Sequence, residues 1–317
     1  MHATKKKPKP RNKPRIKSKN KSYTLKDSGL YNLTTKKHLE DRLQKTIGEL
    51  EELADDSNYR VFFLEKGTRK KREIQSPTLG LDKVQTRIAS LLVRVAMPDH
   101  VHSGIKGRSN VTNAEVHIGD HPVLTMDIRQ FYPSISKKSI YYFFHETMNA
   151  APDVAGILAE LCSYNGHIPT GSRLSMPLSF WTNHLMYSKL ELLCNASKVT
   201  MSSYVDDLTF SGKAVNKLFE RNVKRIVSDA GLMIHPKKTR HYRRDEPKLI
   251  TGVIVRADRI DVKNEHHKAI YTLFNNMKLA SNDKDLEDIH KELLGRLYAA
   301  GQIDQAFKQR AKTLIAQ

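Results

Sequence analysis

Apolar residues in the first third of the chain follow two different periods. Leucine and isoleucine keep helical spacing over residues 39–53, which predicts a first helix. Residues 59–65 predict a strand, and residues 72–75 can return as its antiparallel partner. A second apolar stripe over residues 81–95 predicts an amphipathic helix that ends before Pro98. Helices around a short hairpin are therefore expected in this part of the molecule.

The middle of the chain alternates short apolar strands with helices. Residues 123–128 form a mostly apolar run of the kind that is buried inside a sheet. Two runs rich in β-formers flank Tyr204-Val205-Asp206-Asp207 and predict a hairpin with these residues at its turn. The other expected elements are helices over 137–163, 178–195 and 214–230, strands over 232–235, 248–255 and 258–261, and two or three helices after Asn264. The predicted fold class is mixed α/β with a helical C-terminal part.

Composition narrows the class of protein. The chain has 317 residues, of which 39% are hydrophobic, and no run approaches the roughly 18 apolar residues that a membrane span needs. The N-terminal charges are not followed by an apolar core, so a secretory signal is not expected. Cys162 and Cys194 are the two cysteines, which argues against a disulfide framework or a cysteine-based zinc site. We expect a cytoplasmic protein without a membrane partner.

The positive charge is concentrated at the N-terminus. The formal net charge is +20, and ten lysines and arginines with no acid lie between Lys5 and Lys21. Such a segment has little to bury, so residues 1–22 are predicted to be a disordered basic tail when free. We favour a nucleic-acid-binding arm, because binding phosphates releases counterions. A nuclear-import signal and a solubility tail are the alternatives.

Three aspartates carry the candidate chemistry. Asp206 and Asp207 are adjacent at the predicted turn, where their mutual repulsion has little structural benefit. Asp127 follows the buried strand 123–126, so it can face the same end of a sheet. Carboxylates are the natural ligands of Mg²⁺, and two such ions support nucleotidyl transfer. Solvated turn aspartates, and a turn-capping role for Asp127, are the competing structural interpretations.

Several segments together resemble a known family. The segments are 125–134, which runs from Thr125-Met126-Asp127 to Tyr132-Pro133-Ser134, then Tyr204-Val205-Asp206-Asp207 and 231–239, together with Asn113-Ala114-Glu115-Val116-His117 and Ile250-Thr251-Gly252. The order and spacing of the first three are similar to those of reverse transcriptases. The last two are similar to motifs of the bacterial retron-type enzymes, which the chain resembles most. The resemblance extends from about residue 59 to residue 255.

The resemblance implies a right-hand polymerase architecture. Fingers and palm subdomains, the latter with an antiparallel sheet, would be followed by a helical thumb. The expected divisions are the tail at 1–22, N-terminal helices and fingers at 23–122, palm at 123–262 and an RNA-binding thumb at 263–317. These boundaries are implied by the family.

The resemblance also implies roles for individual residues. Asp127, Asp206 and Asp207 would bind two Mg²⁺ ions, or Mn²⁺ in their place, with the Ile128 carbonyl as a further ligand. The expected nucleotide contacts are made by Arg72 on the triphosphate, Tyr132 beneath the sugar, Gly171 in the nucleotide pocket, and Lys237 or Lys238 at the pyrophosphate. The expected RNA contacts are Arg69, Lys70, Asn113, His117, Thr251 and Gly252, with a structural role as the alternative for Asn113 and His117. Thr170 stands where the family usually has glutamine, which puts the pocket's contacts in doubt.

The implied function is RNA-directed DNA polymerisation from dNTPs. The partner would be a cognate structured RNA that serves as template and primer, and synthesis from an RNA 2′-hydroxyl would give a branched RNA–DNA product. The resemblance further implies a role in antiphage defence with an effector protein. A group II intron-like or abortive-infection-type reverse transcriptase is one alternative. A catalytically silent RNA-binding scaffold is another, which the intact aspartates disfavour.

Overall fold

The computed structural model describes residues 13–66, 70–279 and 282–315. The chain divides into two compact units, each built from two stretches of sequence. Unit 1 comprises Met1–Pro98 and Gln130–Leu185, and unit 2 comprises Asp99–Arg129 and Met186–Gln317. No helix in the described ranges is long and apolar enough to cross a membrane.

The elements follow one another in a mixed α/β order. The helices are α1 (Lys36–Leu43), α2 (Ile47–Leu53), α3 (Leu79–Leu92), α4 (Asn110–Glu115), α5 (Phe131–Ser134), α6 (Lys137–Tyr142), α7 (Pro152–Leu161), α8 (Ser175–Thr182), α9 (His184–Ser197), α10 (Lys217–Asp229), α11 (Asn264–Leu279), α12 (Asp283–Ala300) and α13 (Gln305–Ile315). The strands are β1 (Tyr59–Lys66), β2 (Lys70–Pro77), β3 (Val123–Asp127), β4 (Thr200–Tyr204), β5 (Asp207–Ser211), β6 (Arg240–Tyr242), β7 (Lys248–Ile250), β8 (Val253–Val255) and β9 (Ile260–Asp261). All the strand pairs are antiparallel.

In unit 1, the first predicted helix is two helices. Gln44 ends α1 in the left-handed conformation with φ 60°, and Thr46 starts α2 with a capping box completed by Glu49. A single apolar stripe could not reveal this break, because both helices keep their leucines on the buried side. The predicted hairpin is present as β1 and β2, which pair along their whole length.

In unit 2, a four-stranded sheet has the order β4-β5-β3-β6. Successive side chains point to opposite faces of such a sheet. Phe210 of β5 packs against Phe219 of α10, with ring centroids 5.4 Å apart, so α10 covers one face. The neighbouring Thr209 faces the other way and lines a cleft, so the site lies on that opposite face.

Two further groups of elements complete unit 2. A three-stranded sheet has the order β7-β8-β9, and α11 to α13 share their own apolar cluster, which includes Leu293, Leu297 and Phe307. The strand predicted over 232–235 was wrong, because this stretch makes only an isolated bridge between Ile234 and Ile128. The predicted strand 248–255 is two strands joined by a tight turn, and β6 was not predicted.

The predicted basic tail is described only from residue 13 onward. Residues 13–22 form no helix or strand. The backbone N–H of Lys17 donates to Ser90 Oγ, and its carbonyl accepts from the Arg94 guanidinium. The disorder predicted for residues 1–12 lies outside the described residues and stays a prediction.

Candidate active site

The Asp-Asp turn is as tight as a hairpin allows. Tyr204 pairs with Asp207, so Val205 and Asp206 alone form the loop between β4 and β5. Val205 has φ 57°, a left-handed conformation that is costly for a β-branched residue, of the order of 1–2 kcal/mol. Its N–H donates to Ser103 Oγ at 3.1 Å, which helps to hold the strained turn. Backbone strain of this kind tends to persist where a function requires it.

Strand pairing brings the three aspartates to one end of the sheet. Asp127 is the direct cross-strand partner of Asp207, and both line the same cleft of about 250 Å³. The N–H of Ile128 donates to the Asp206 carbonyl at 2.8 Å, which ties the turn to the end of β3. The sequence predicted that the three aspartates lie at the same end of a sheet, and the register of β3 with β5 places Asp127 opposite Asp207.

A lysine side chain forms an ion pair with Asp127, the buried aspartate of this group. Lys238 Nζ lies 2.5 Å from Asp127 Oδ2, and the Asp127 side chain is only 10% exposed. Lys237 lines the same cleft without a hydrogen bond or ion pair to the carboxylates in the described part of the chain. Of the two candidate lysines, Lys238 therefore contacts Asp127 directly.

The three aspartates have side chains that are chemically suited to bind a hard divalent cation. The side chains of Asp127, Asp206 and Asp207 offer oxygen ligands, which Mg²⁺ prefers. Across the described ranges, no three His, Cys, Asp or Glu side chains are already arranged to hold a metal ion. The ammonium of Lys238 supplies the charge that neutralises Asp127 in this arrangement. Metal binding, including the predicted Ile128 carbonyl ligand, stays a prediction.

The far end of the cleft is formed by residues of later strands. Arg240 pairs with Thr125, two residues before Asp127, and it lines the cleft with Tyr242. Thr251 and Gly252 complete this end and form the turn between β7 and β8, with φ values of 43° and 86°. A two-residue hairpin with both central φ values positive is a type I′ turn, for which glycine is favoured. The proximity of Arg240 to the aspartates could not be predicted, because β6 is too short to leave a periodic pattern.

The sequence is similar to named proteins. Over 247 residues it is 30% identical to the Retron Se72 reverse transcriptase of Salmonella heidelberg (strain 579083-10), a match that covers 74% of this chain and 64% of that protein. The Retron Ec86 reverse transcriptase of Escherichia coli is 25% identical over 224 residues, 68% of each chain. The Retron Ec48 reverse transcriptase of Escherichia coli is 22% identical over 311 residues, 89% of this chain and 76% of that protein.

The chain is therefore similar to retron reverse transcriptases over most of its length. These matches confirm the resemblance inferred from the motifs. The chain spans slightly less than two thirds of the length of the Se72 relative. No protein-family model matches it.

The Asn-Ala-x-x-His segment of this chain is part of the core. Asn113 and His117 are fully buried. The two ring nitrogens of His117 lie 2.6 Å from Ser211 Oγ and 2.7 Å from Ser202 Oγ, so the ring joins α4 to β4 and β5. Burial lowers the pKa of His117 to about 3, so the ring is neutral. The alternative in which these two side chains contact RNA does not fit this burial, and the structural alternative does.

Asn113 also connects the Asn-Ala-x-x-His segment to the Ile250-Thr251-Gly252 segment of this chain. Its amide nitrogen lies 3.4 Å from Thr251 Oγ1, and Thr251 Oγ1 donates to the Asn110 carbonyl at 2.8 Å. The amide of Asn110 donates to the Thr251 carbonyl in return. These bonds hold the strained Thr251-Gly252 turn against α4. RNA contact by this turn stays a prediction.

Three of the predicted nucleotide contacts, Arg72, Tyr132 and Gly171, lie in unit 1, whereas Lys237 and Lys238 lie in unit 2. Arg72 is exposed on β2, and Tyr132 is half-buried on α5 beside Phe131. A Cβ on Gly171 would lie 2.4 Å from the Gln75 carbonyl oxygen, so this position accepts no side chain without a shift. Arg69 lies outside the described residues and Lys70 is the first residue of β2, so RNA contact by these two residues stays a prediction.

Thr170, the departure from the family pattern, bonds to the hairpin strand β2. Its hydroxyl donates to the Glu73 carbonyl at 2.8 Å, and its N–H donates to Gln75 Oε1 at 2.7 Å. Gln75 is buried, and no sequence signal had singled it out. A threonine here therefore fastens β2 to the segment that carries Gly171.

Proposed function

We propose that this protein is an RNA-directed DNA polymerase of the retron type. The observation that carries the proposal is the register that sets Asp127 opposite Asp207, with Asp206 in the strained turn beside them. An open cleft next to these carboxylates leaves room for a nucleic-acid end. The named relatives are all retron reverse transcriptases, which favours this chemistry over other uses of paired carboxylates.

The elements support an assignment to the parts of a right-hand polymerase. We assign the four-stranded sheet of unit 2 to the palm and the β1–β2 hairpin to the fingers. Helices α11 to α13, which share one apolar cluster, would form the thumb. In this assignment Arg72 offers its guanidinium fork to the triphosphate of a dNTP. Tyr132 would exclude a ribonucleotide 2′-hydroxyl by occupying its space.

Catalysis would depend on the oxygen ligands and the nearby lysines. Asp127, Asp206 and Asp207 would hold two Mg²⁺ ions, with Mn²⁺ as a substitute. Bound ions of this kind supply Lewis acidity toward the attacking and leaving oxygens. Lys238 would have to leave Asp127, and either Lys237 or Lys238 could then donate a proton to pyrophosphate from the wall of the cleft.

The proposal extends to a partner and a product. We propose that the template is a cognate structured RNA, primed from one of its own 2′-hydroxyls, so that the product is a branched RNA–DNA molecule. A role in antiphage defence with an effector protein belongs to the same proposal. Recovery of a branched molecule with the purified protein would separate this proposal from an intron-like or abortive-infection-type enzyme.

The proposal is tested by primer extension on an RNA template with Mg²⁺ and dNTPs. We expect full-length DNA from the natural protein and none from Asp206→Asn combined with Asp207→Asn. Asp229→Asn combined with Asp245→Asn removes two exposed carboxylates elsewhere in unit 2 and should leave extension unchanged. Extension that survives the first pair would remove the metal assignment. RNA binding without any extension would favour the silent scaffold.

A further inference from the structure

Helix α10 lies on the side of the sheet away from the catalytic cleft. Phe219 and Val223 are buried on its inner side, and Phe219 contacts Phe210 of β5. Thr209, next to Phe210 in the strand, lines the cleft instead. A ligand bound to the outer side of α10 would therefore not compete directly with a nucleic-acid end at Asp127.

The outer side of α10 carries a row of cations. Lys217, Arg221, Lys224 and Arg225 are all exposed, and their spacing of i, i+4, i+7 and i+8 places them on one helix face. We call these four residues the α10 basic stripe. It contains no acid, and like charges at these spacings oppose each other within a helix. Glu220 of the same helix pairs with Lys217 and Lys224, so Arg221 and Arg225 carry the charge that an external anion could neutralise.

A buried carboxylate fixes part of the stripe to the sheet. Glu220 accepts hydrogen bonds from Lys224 at 2.7 Å and Lys217 at 3.0 Å, and His241 Nε2 of β6 lies 2.7 Å from it. Burial alone would raise the pKa of Glu220, but the hydrogen bonds from Lys224, His241 and Lys217 outweigh it and lower the pKa to about 2. The carboxylate is thus charged, and it holds two of the cations in place beside the edge strand.

The two arginines of the stripe remain available. Within the described residues, Arg221 and Arg225 make no ion pair. Their guanidinium forks match phosphate oxygens, and the stripe extends over roughly 12 Å of helix, which is enough to follow several phosphates of one strand. Leu218 is exposed within the same turns of α10. One exposed leucine is smaller than the apolar centre that a protein–protein interface needs, so a nucleic acid suits this surface better than a protein partner.

We propose that the α10 basic stripe binds the phosphate backbone of the template RNA outside the catalytic cleft. The proposal rests on the proposed function, since a structured RNA template needs a binding surface beyond its copied end. The stripe would contact phosphates without reading sequence, because cations on an exposed helix face pair with phosphate oxygens and carry no information about base edges. It would add affinity and salt dependence while leaving the chemistry unchanged.

The experiment measures RNA affinity against salt concentration. The probe is a fluorescent 20-base-pair RNA duplex, and the readout is anisotropy over a range of KCl concentrations. Arg221→Gln combined with Arg225→Gln should reduce the slope of log K against log salt by about 1.4 to 1.8, for two lost phosphate contacts. Arg221→Lys with Arg225→Lys should keep the slope. Lys36→Gln with Lys37→Gln removes the same charge from α1 and serves as the matched control.

Separate measurements distinguish failure of this inference from failure of the proposed function. At saturating concentration, the glutamine pair should extend a short DNA primer on an unstructured RNA template at the natural rate, and its thermal unfolding should be unchanged. A slope equal to that of the natural protein or of the α1 control would overturn the inference. The inference would also be overturned if the glutamine pair bound RNA as the natural protein does but lost binding to polyglutamate. That result would assign the stripe to an acidic protein partner. Stripe-dependent RNA binding without primer extension would overturn the proposed function alone.

Discussion

Single side chains at the cleft divide into those that could supply chemistry and those that hold them in position. Asp127 and Asp207 meet through backbone pairing, and their side chains need no special packing to do so. Ser103 accepts a hydrogen bond from the strained Val205, and His117 bonds to Ser202 of β4 and Ser211 of β5 in the same sheet. Positioning residues of this kind leave no motif, because a serine in a loop has no periodic or compositional signature.

Lys238 should weaken metal binding by competing for Asp127. In Lys238→Gln, Mn²⁺ affinity measured by electron paramagnetic resonance should rise about fivefold, which corresponds to ~1 kcal/mol, the upper end for a half-exposed ion pair. Lys237→Gln is the matched control, because Lys237 lines the same cleft without contacting Asp127. An equal rise of Mn²⁺ affinity in both variants would show that the lysines act through their positive charge alone and not through direct contact with Asp127. Asp127→Asn should weaken Mn²⁺ binding.

At the scale of elements, short strands and tight turns decide where the site residues lie. The β4–β5 and β7–β8 hairpins each close with two residues, and each places a β-branched residue at positive φ. Both strained residues are fastened by hydroxyl groups, Val205 by Ser103 and Thr251 by its own bond to Asn110. The joint between α4 and the four-stranded sheet is made by His117, so this joint depends on a neutral ring.

Acid should therefore loosen unit 2 through His117. Its pKa falls from 6.5 to about 3 on folding, so the unfolded chain binds the extra proton between these values. The stability that this neutral ring contributes is complete above pH 6.5 and is lost toward pH 3, at about 1.4 kcal/mol per pH unit. Burial also lowers the pKa of His100, to about 4, which adds to the same trend.

The prediction is checked by urea unfolding at several pH values. His117→Gln should be less stable at pH 8 by roughly 1–3 kcal/mol, because Ser202 and Ser211 lose their partner. Its free energy of unfolding should then fall less steeply between pH 6.5 and pH 4 than that of the natural protein. His266→Gln changes an exposed histidine of α11 and should follow the natural profile. Parallel profiles for all three proteins would contradict the assignment.

At the scale of the whole molecule, positive charge is the property that several parts share. The net charge is +20, with ten cations between Lys5 and Lys21 and a further row on α10. Residues 13–22 include Lys17, whose backbone bonds to α3 through Ser90, so their removal would also disturb unit 1. The tail is therefore best tested by removing residues 1–12 alone.

Deleting residues 1–12 should reduce the salt dependence of RNA binding. Five lysines and arginines lie in this segment, so the slope of log K against log salt should fall by up to about 3.5 to 4.5. A variant with the same twelve residues in scrambled order is the control and should keep the slope, since counterion release depends on charge and not on order. An unchanged slope after deletion would reduce the segment to a solubility device.

The sequence by itself determined the class of elements and the three aspartates. Strand 123–128 and the Asp-Asp hairpin were predictable because a short apolar run and a turn between two β-rich runs are local properties, encoded within a few neighbouring residues. The retron relationship followed from the order of several short motifs, and named relatives confirm it. The break between α1 and α2 escaped because the apolar period continues across Gln44.

Only the tertiary structure decided which partners these residues meet. Pairing of β3 with β5 and β6 brings Lys238 to Asp127 and Arg240 to the same cleft across more than a hundred residues of sequence. Burial turned the Asn113 and His117 motif from a candidate RNA contact into a joint of the core. Local periodicity cannot encode such outcomes, because burial and register depend on segments that are distant in the chain.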